Sequence, residues 1–257
     1  MGPKMKRLAI ISDPHCGEPS GFFRRTFGRH DKKNGERLAR ICATLEVMDE
    51  EVILLVLGDL TDRSTEEECE EVFRALSIFS GEKYVVLGNH DETSPFRMGI
   101  GYSQEGHLRA SALAATINGE DGFPLVIDKG PYQIILLDSN AHGEKGTAFA
   151  RGRIGNRQLA MLGAQLSVNK PTVLAMHHYP EKVNATLAVS DADALLTICK
   201  SRDVTIVNGH RHREGEYQRT PNRPRILTHG KCTDTGRVRL YDPVSGESEW
   251  LGVSFPR

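Results

Sequence analysis

Short apolar runs, each closing on a cluster of polar residues, set the pattern of this chain. Tyr84-Val85-Val86-Leu87 runs into Gly88-Asn89-His90-Asp91, and Leu8-Ala9-Ile10-Ile11 runs into Ser12-Asp13-Pro14-His15. Val52 to Leu57 closes on Gly58-Asp59, Thr172 to Met176 on His177-His178, and Val204 to Val207 on Asn208-Gly209-His210-Arg211-His212. Runs of four to six β-branched and aliphatic residues ending at a turn read as buried strands. Open α/β sheets hold their ligands at the carboxyl ends of such strands, and here five ends carry carboxylate, amide or imidazole side chains.

Between these strands the period changes to that of helices. Leu38, Ile41, Leu45 and Met48 predict an amphipathic helix over 36–48. Ser64 or Thr65 is expected to cap a second helix, with Glu66, Glu67 and Glu68 as a solvated acidic first turn and Val72, Phe73, Leu76 and Phe79 facing inward. Glu92 to Gly122 reads as a loop followed by a helix over 107–117, a candidate cap with His107 on its surface. Leu125-Val126-Ile127 and Gln133 to Leu137 flank Asp128-Lys129-Gly130-Pro131 and predict a hairpin. Helices are expected over 156–168 and 191–200, and the tail over 225–253 alternates as antiparallel strands completing a second sheet.

The 257 residues are read as a single α/β domain over 1–257. A formal charge of −1 and a pI near 6.8 argue against a general nucleic-acid or membrane-surface binder. Cys16, Cys42, Cys69, Cys199 and Cys232 have no paired spacing, which suggests reduced thiols and a cytoplasmic protein. No run approaches the ~20 apolar residues of a membrane helix. The stretch from Gly17 to Gly35 mixes Phe22, Phe23 and Phe27 with Arg24, Arg25 and Arg29. A solvated loop with its phenylalanines tucked onto the core is favoured there over a grip on a phosphate-bearing or nucleic-acid substrate.

Asp13 and His15 stand two apart and can reach one ion, and His210 and His212 repeat the arrangement. Asp59 offers a carboxylate able to bridge two cations, Asn89 a neutral oxygen, and His177 a further imidazole. Mixed nitrogen and oxygen ligation without thiolate suits Mn, Fe or Zn better than calcium or magnesium alone. Two such ions ~3.5–4 Å apart polarise a phosphoryl group and generate hydroxide near neutral pH. His90 can protonate the leaving oxygen, with Asp91 or Asp62 orienting the site by hydrogen bonds.

Taken in order, Asp13-Pro14-His15, Gly58-Asp59-Leu60-Thr61-Asp62-Arg63, Gly88-Asn89-His90-Asp91, His177-His178 and Gly209-His210-Arg211-His212 resemble the calcineurin-like metallophosphoesterases. The resemblance implies a four-layer αββα sandwich of two mixed β-sheets flanked by helices. It implies one metal held by Asp13, His15, Asp59 and His212, another by Asp59, Asn89, His177 and His210, and a catalytic imidazole at His90. His177 is taken over His178 because it directly follows its strand, as the family's ligand does. Asp91 in place of glutamate and His90 in place of arginine make the chain look most like the bacterial phosphodiesterase branch. The expected activity is hydrolysis of a phosphodiester such as a cyclic nucleotide or glycerophosphodiester, by attack of a metal-bridging hydroxide. A phosphomonoesterase, a nuclease and a non-catalytic scaffold are the alternatives. Nucleic acid is the less favoured substrate, and a homodimer is compatible with the branch.

Overall fold

The computed structural model describes residues 6–17, 33–92, 102–120, 122–142, 150–166, 170–180 and 188–255. The basic aromatic stretch, except for its ends, and the first part of the expected cap lie outside the described residues.

Two sheets form the centre. The first contains β1 (Arg7–Ile11), β2 (Val52–Leu57), β3 (Lys83–Val86), β10 (Arg237–Tyr241) and β11 (Ser248–Gly252), in the order β11-β10-β1-β2-β3. The second contains β4 (Leu125–Asp128), β5 (Gln133–Leu136), β6 (Thr172–Ala175), β7 (Val204–Asn208), β8 (Gly215–Tyr217) and β9 (Arg225–Thr228), in the order β4-β5-β6-β7-β9-β8. Both are mixed. β1, β2 and β3 run parallel in one, with β10 antiparallel between β1 and β11, and β5, β6, β7 and β9 run parallel in the other, with β4 and β8 as antiparallel edge strands.

The side-chain alternation along each strand explains the layering. Leu8 and Ile10 of β1, with Ile53, Leu55 and Leu57 of β2, point into a core shared with Ile134, Leu136, Val173, Ala175 and Val207 of the opposite sheet. Their neighbours Ala9, Ile11, Leu54 and Val56 face outward and pack on α1 (Lys33–Glu46), α2 (Glu66–Ser77) and α3 (Gln104–Asn118). On the far side Ile135, Leu174 and Ile206 pack on α4 (Asn156–Gln165) and α5 (Ala192–Cys199). Strands apolar on both faces are what a helix-covered parallel sheet needs, and the result is the four-layer αββα sandwich. A short α6 (Cys232–Thr235) leads into β10.

Three expectations need correction. The tail does not complete one sheet: β9 joins the second sheet beside β7 in parallel, while β10 extends the first sheet antiparallel to β1 and β11 pairs antiparallel with β10. Alternation fixes which residues face inward but not which edge a strand joins. Phe73 is 45% exposed, because the inner stripe of α2 runs through Val72, Ala75 and Leu76 instead. Glu68 is buried rather than solvated: its carboxylate accepts the Thr65 and Arg63 N–H groups while its own N–H donates to Thr65 Oγ1. Thr65 is therefore the cap, in a reciprocal capping box that draws the N3 acid back under the first turn.

Candidate metal centre

Parallel strands deliver their carboxyl ends to one edge, and the polar clusters converge there. Asp13 and His15 follow β1, Asp59 follows β2, Asn89 and His90 follow β3, His177 follows β6, and His210 and His212 follow β7. The register keeps the ends level, with Ile11 opposite Val56, Leu57 opposite Val86, and Ala175 opposite Val207.

The backbone turns sharply to aim these side chains. Asp13, His15, Asp59, His210 and His212 all have left-handed φ, from 45° to 71°. A non-glycine residue there costs of order 1 kcal/mol or more and persists only where its surroundings impose it. Gly88 meets another demand, close approach: a Cβ at Gly88 would stand 2.2 Å from Asp59 Oδ1.

Two sets of donor atoms result. In one, Asp13, His15, Asp59 and His212 bring ligand atoms within 4.8 Å of one another. His15 Nε2 is 3.0 Å from His212 Nε2 and 3.4 Å from Asp59 Oδ2, and His212 Nε2 is 3.4 Å from Asp13 Oδ1. In the other, His177 Nε2 is 3.2 Å from Asn89 Oδ1, 3.1 Å from His210 Nδ1 and 3.4 Å from Asp59 Oδ2. The same carboxylate oxygen, Asp59 Oδ2, thus faces both sets. Asp59 Oδ1 is held by the His90 N–H at 2.9 Å, and both Asp13 oxygens accept the His210 N–H.

The donor chemistry fits transition-metal ions. Burial holds His15 well below its ordinary pKa, and burial with the neighbouring His177 lowers His210 to about 4, so both imidazoles are neutral. Burial opposes the charge on Asp59, but His177 and His90 outweigh it and keep the carboxylate ionised. Burial opposes a charge on His177 and His212, but Asp59 raises the first to about 9 and Asp13 raises the second, so these rings hold the protons that an ion would replace. The separations of little more than 3 Å match the ~3.3 Å edge of a tetrahedron with ~2.0–2.1 Å bonds. Donor atoms gathered at such separations are placed to share a cation in place of those protons.

His177 and His178 divide the work. His177 Nδ1 bonds the Leu57 carbonyl oxygen, which turns Nε2 toward Asn89, Asp59 and His210. His178 lies 2.9 Å from Ser139 Oγ through Nδ1, so its ring is tied to the loop after β5. Cys16 packs into the core beneath α1 and α2.

The two carboxylates expected to orient the site act at different places, Asp62 on His90. His90 Nδ1 lies 3.0 Å from the Asp62 carbonyl oxygen and 3.5 Å from its carboxylate. Asp91 is instead fully buried, and its carboxylate accepts from Leu60 N, Thr61 N, Thr61 Oγ1 and Gly88 N. All four donors lie on the two loops that carry Asp59 and Asn89, so Asp91 staples those loops together and does not reach the reacting atoms. A carboxylate one residue past an imidazole in a 3-10 turn points away from it, which the linear motif does not reveal.

Contacts that the strand-end pattern missed lie on the loop after β5. Ser139 bonds His178, the Asn140 side-chain amide donates to the Gly88 carbonyl oxygen at 3.2 Å, and the Ala150 carbonyl oxygen accepts from His210 Nε2 at 2.9 Å. The one sequence signal for this loop was the polar close of the fifth strand, Asp138-Ser139-Asn140. His107 is not a plain surface residue either: its Nδ1 is 2.8 Å from the buried Glu92 Oε1.

Comparison with known proteins matches residues 6–214 to the calcineurin-like phosphoesterase family. The chain is 26% identical over 137 residues to a protein of Arcobacter nitrofigilis described as a "Probable glycerophosphodiester phosphodiesterase", covering 51% of this chain and 43% of that one. It is 26% identical over 166 residues to a "Probable cyclic nucleotide phosphodiesterase" of Moraxella catarrhalis, covering 62% of this chain and 57% of the relative. The chain therefore spans about half the length of the curated relatives it matches. Among solved structures, a purple acid phosphatase from yellow lupin seeds superposes with a TM-score of 0.57 at 14% identity, covering 88% of this chain and 44% of that one, a likeness of fold. The chain belongs to the calcineurin-like phosphoesterase family.

Proposed function

We propose that this member of the calcineurin-like phosphoesterase family is a metal-dependent phosphodiesterase acting on small diesters such as glycerophosphodiesters or cyclic nucleotides. The observation that carries the reading is Asp59 Oδ2 standing between two sets of imidazole and carboxylate donors, with His90 directly beside them: the His15 and His90 rings meet edge to face at 4.7 Å. The preference for diesters rests on the two curated relatives.

In this reading Asp13, His15, Asp59 and His212 hold one ion, and Asp59, Asn89, His177 and His210 the other. Bound there, two ions of Mn, Fe or Zn supply Lewis acidity to the phosphoryl group and an acidified water for in-line attack. Asp59 sets the spacing between the ions. Asp62 holds Nδ1 of His90, which turns Nε2 to the leaving oxygen. Burial disfavours a charged His90, but in the metal-free chain Asp59 and Asp62 outweigh it and raise it to about 10. With ions on Asp59 it is the Asp62 contacts that would keep a proton on the ring for donation.

No helix among the described residues is long and apolar enough to cross a membrane. With all five cysteines free, we read the chain as a single cytoplasmic metallophosphoesterase domain, with a homodimer compatible with the branch.

The test is hydrolysis of a bis-aryl phosphodiester against the matching aryl monoester. The protein is stripped of metal and reloaded with manganese, and Asp59→Asn serves as the blank. Faster diester turnover is expected. A monoester preference would make the protein a phosphomonoesterase, hydrolysis of oligonucleotides alone would make it a nuclease, and silence on all three would make it a scaffold.

A further inference from the structure

Beyond the two donor sets, the 3-10 turn at His90–Glu92, helix α3 and the loop after β5 meet at a second cluster of titratable groups. Glu92, His107 and His142 bring one ligand atom each to within 4.8 Å of the others. The Glu92 carboxylate is buried, and its Oε1 is 2.8 Å from His107 Nδ1 and 2.9 Å from His142 Nδ1. Behind this, His142 Nε2 lies 3.1 Å from Asp138 Oδ2.

The tautomer logic of His142 is informative. With a carboxylate at each nitrogen, His142 either donates from both as an imidazolium or keeps its proton on Nε2 toward Asp138 and turns the Nδ1 lone pair to a metal ion. Glu92 Oε1 stands 2.9 Å from Nδ1, a separation that a proton fills and that two ligands of one ion also adopt. A carboxylate behind a ligating imidazole is also the usual outer partner of a metal-bound histidine. The two Nδ1 atoms converge on a single oxygen, so one ion could engage all three groups. His142 is held at φ 45°, the same left-handed backbone as Asp13, His15, Asp59, His210 and His212. His107, His142 and Asp138 line a cavity of about 580 Å³, which gives an ion an entry path.

We propose that Glu92, His107 and His142 form a third cation site, separate from the two donor sets around Asp59, suited to a borderline divalent ion such as zinc. Two imidazoles and a carboxylate are a zinc ligand set with positions open for water. The ion would join α3 to the turn that carries His90. Asp138 would orient His142 without touching the ion. The competing occupant is a proton, because hydrogen bonds with Asp138 and Glu92 raise His142 to about 10.

The experiment is a zinc titration of the full chain after chelator stripping, with ions per chain counted by mass spectrometry after gel filtration. The wild type is expected to retain one equivalent more than His142→Ala, and Glu92→Gln should lose that same equivalent. Asp59→Asn, which disables the shared carboxylate, should keep the equivalent that His142→Ala lacks, so this site is read independently of the proposed phosphodiesterase centre. Should His142→Ala fail to fold by circular dichroism, His107→Asn makes the same comparison. Equal zinc content in the wild type and the folded variant would overturn the proposal and leave an imidazolium between two carboxylates.

Discussion

His90 turns its Nδ1 onto Asp62, 3.0 Å from the backbone carbonyl oxygen and 3.5 Å from the carboxylate. Both contacts favour a proton on Nδ1 and fix the plane of the ring. His90→Ala is expected to slow diester turnover roughly a hundred- to ten-thousand-fold while leaving the metal content unchanged. Parallel measurement of kcat and of ions per chain checks this. Loss of the ions in that variant would make His90 a ligand rather than a proton donor.

Among the described residues, Asp59 is the one whose carboxylate oxygen lies 3.4 Å from an imidazole of each donor set. Asp59→Asn keeps the shape but removes the charge that two cations would share, so activity should fall to the metal-free background. Metal analysis of the variant should show reduced occupancy of the paired site. Full occupancy with full activity would remove Asp59 from the centre.

Gly88 presses against Asp59, and an added methyl group would come within 2.2 Å of Oδ1 and 2.3 Å of the Asp59 backbone nitrogen. The backbone contact cannot rotate away. Gly88→Ala should therefore weaken metal retention in a chain that still folds, measured as a higher metal concentration for half-maximal activity.

Asp91 should matter for stability rather than for the chemical step. Its carboxylate accepts from four donors at 2.9–3.1 Å in a fully buried position. Truncation leaves buried N–H groups unpaired, so Asp91→Ala should cost about 3 kcal/mol or more in urea unfolding. Asp91→Asn keeps one acceptor oxygen and should cost less.

Glu68 gives the fold a pH dependence of known sign. Burial pushes its carboxyl up to about 7, against the backbone N–H groups of Arg63 and Thr65, from an ordinary 4.5. The folded state thus binds this proton more tightly than the unfolded chain does. The contribution is fully present below 4.5 and is lost as pH rises through about 7, amounting to of order 3 kcal/mol. Unfolding midpoints at pH 5 and pH 8 should differ less in Glu68→Gln than in the wild type, and the difference between the two proteins isolates Glu68 from the metal ligands.

The strand ends were legible because two local signals coincide there. An apolar run fixes a buried strand, and the glycine or proline beside it fixes the turn that exposes the next polar side chains. Asp13, His15, Asp59, Asn89, His177, His210 and His212 could thus be singled out one strand at a time. The parallel register then brings the ends level without further instruction. That helices cover these strands was legible for the same reason, since runs apolar at every position must bury both faces, whereas the four-layer sandwich followed only from the family resemblance.

What depended on long-range pairing was not legible. The edge that β9 and β10 join is decided by neighbours far along the chain. The inward positions of α2 depend on the rotation of the helix against the sheet, which exposed Phe73 and buried Glu68. Glu92, His107 and His142 come from a turn, a helix and a loop, with no spacing to mark them as partners. By itself the sequence determined which side chains stand at strand ends, because strand and turn formation are local. Only the tertiary structure decided which of them share an oxygen, a ring nitrogen or an ion, because those contacts depend on how separate strands are laid side by side.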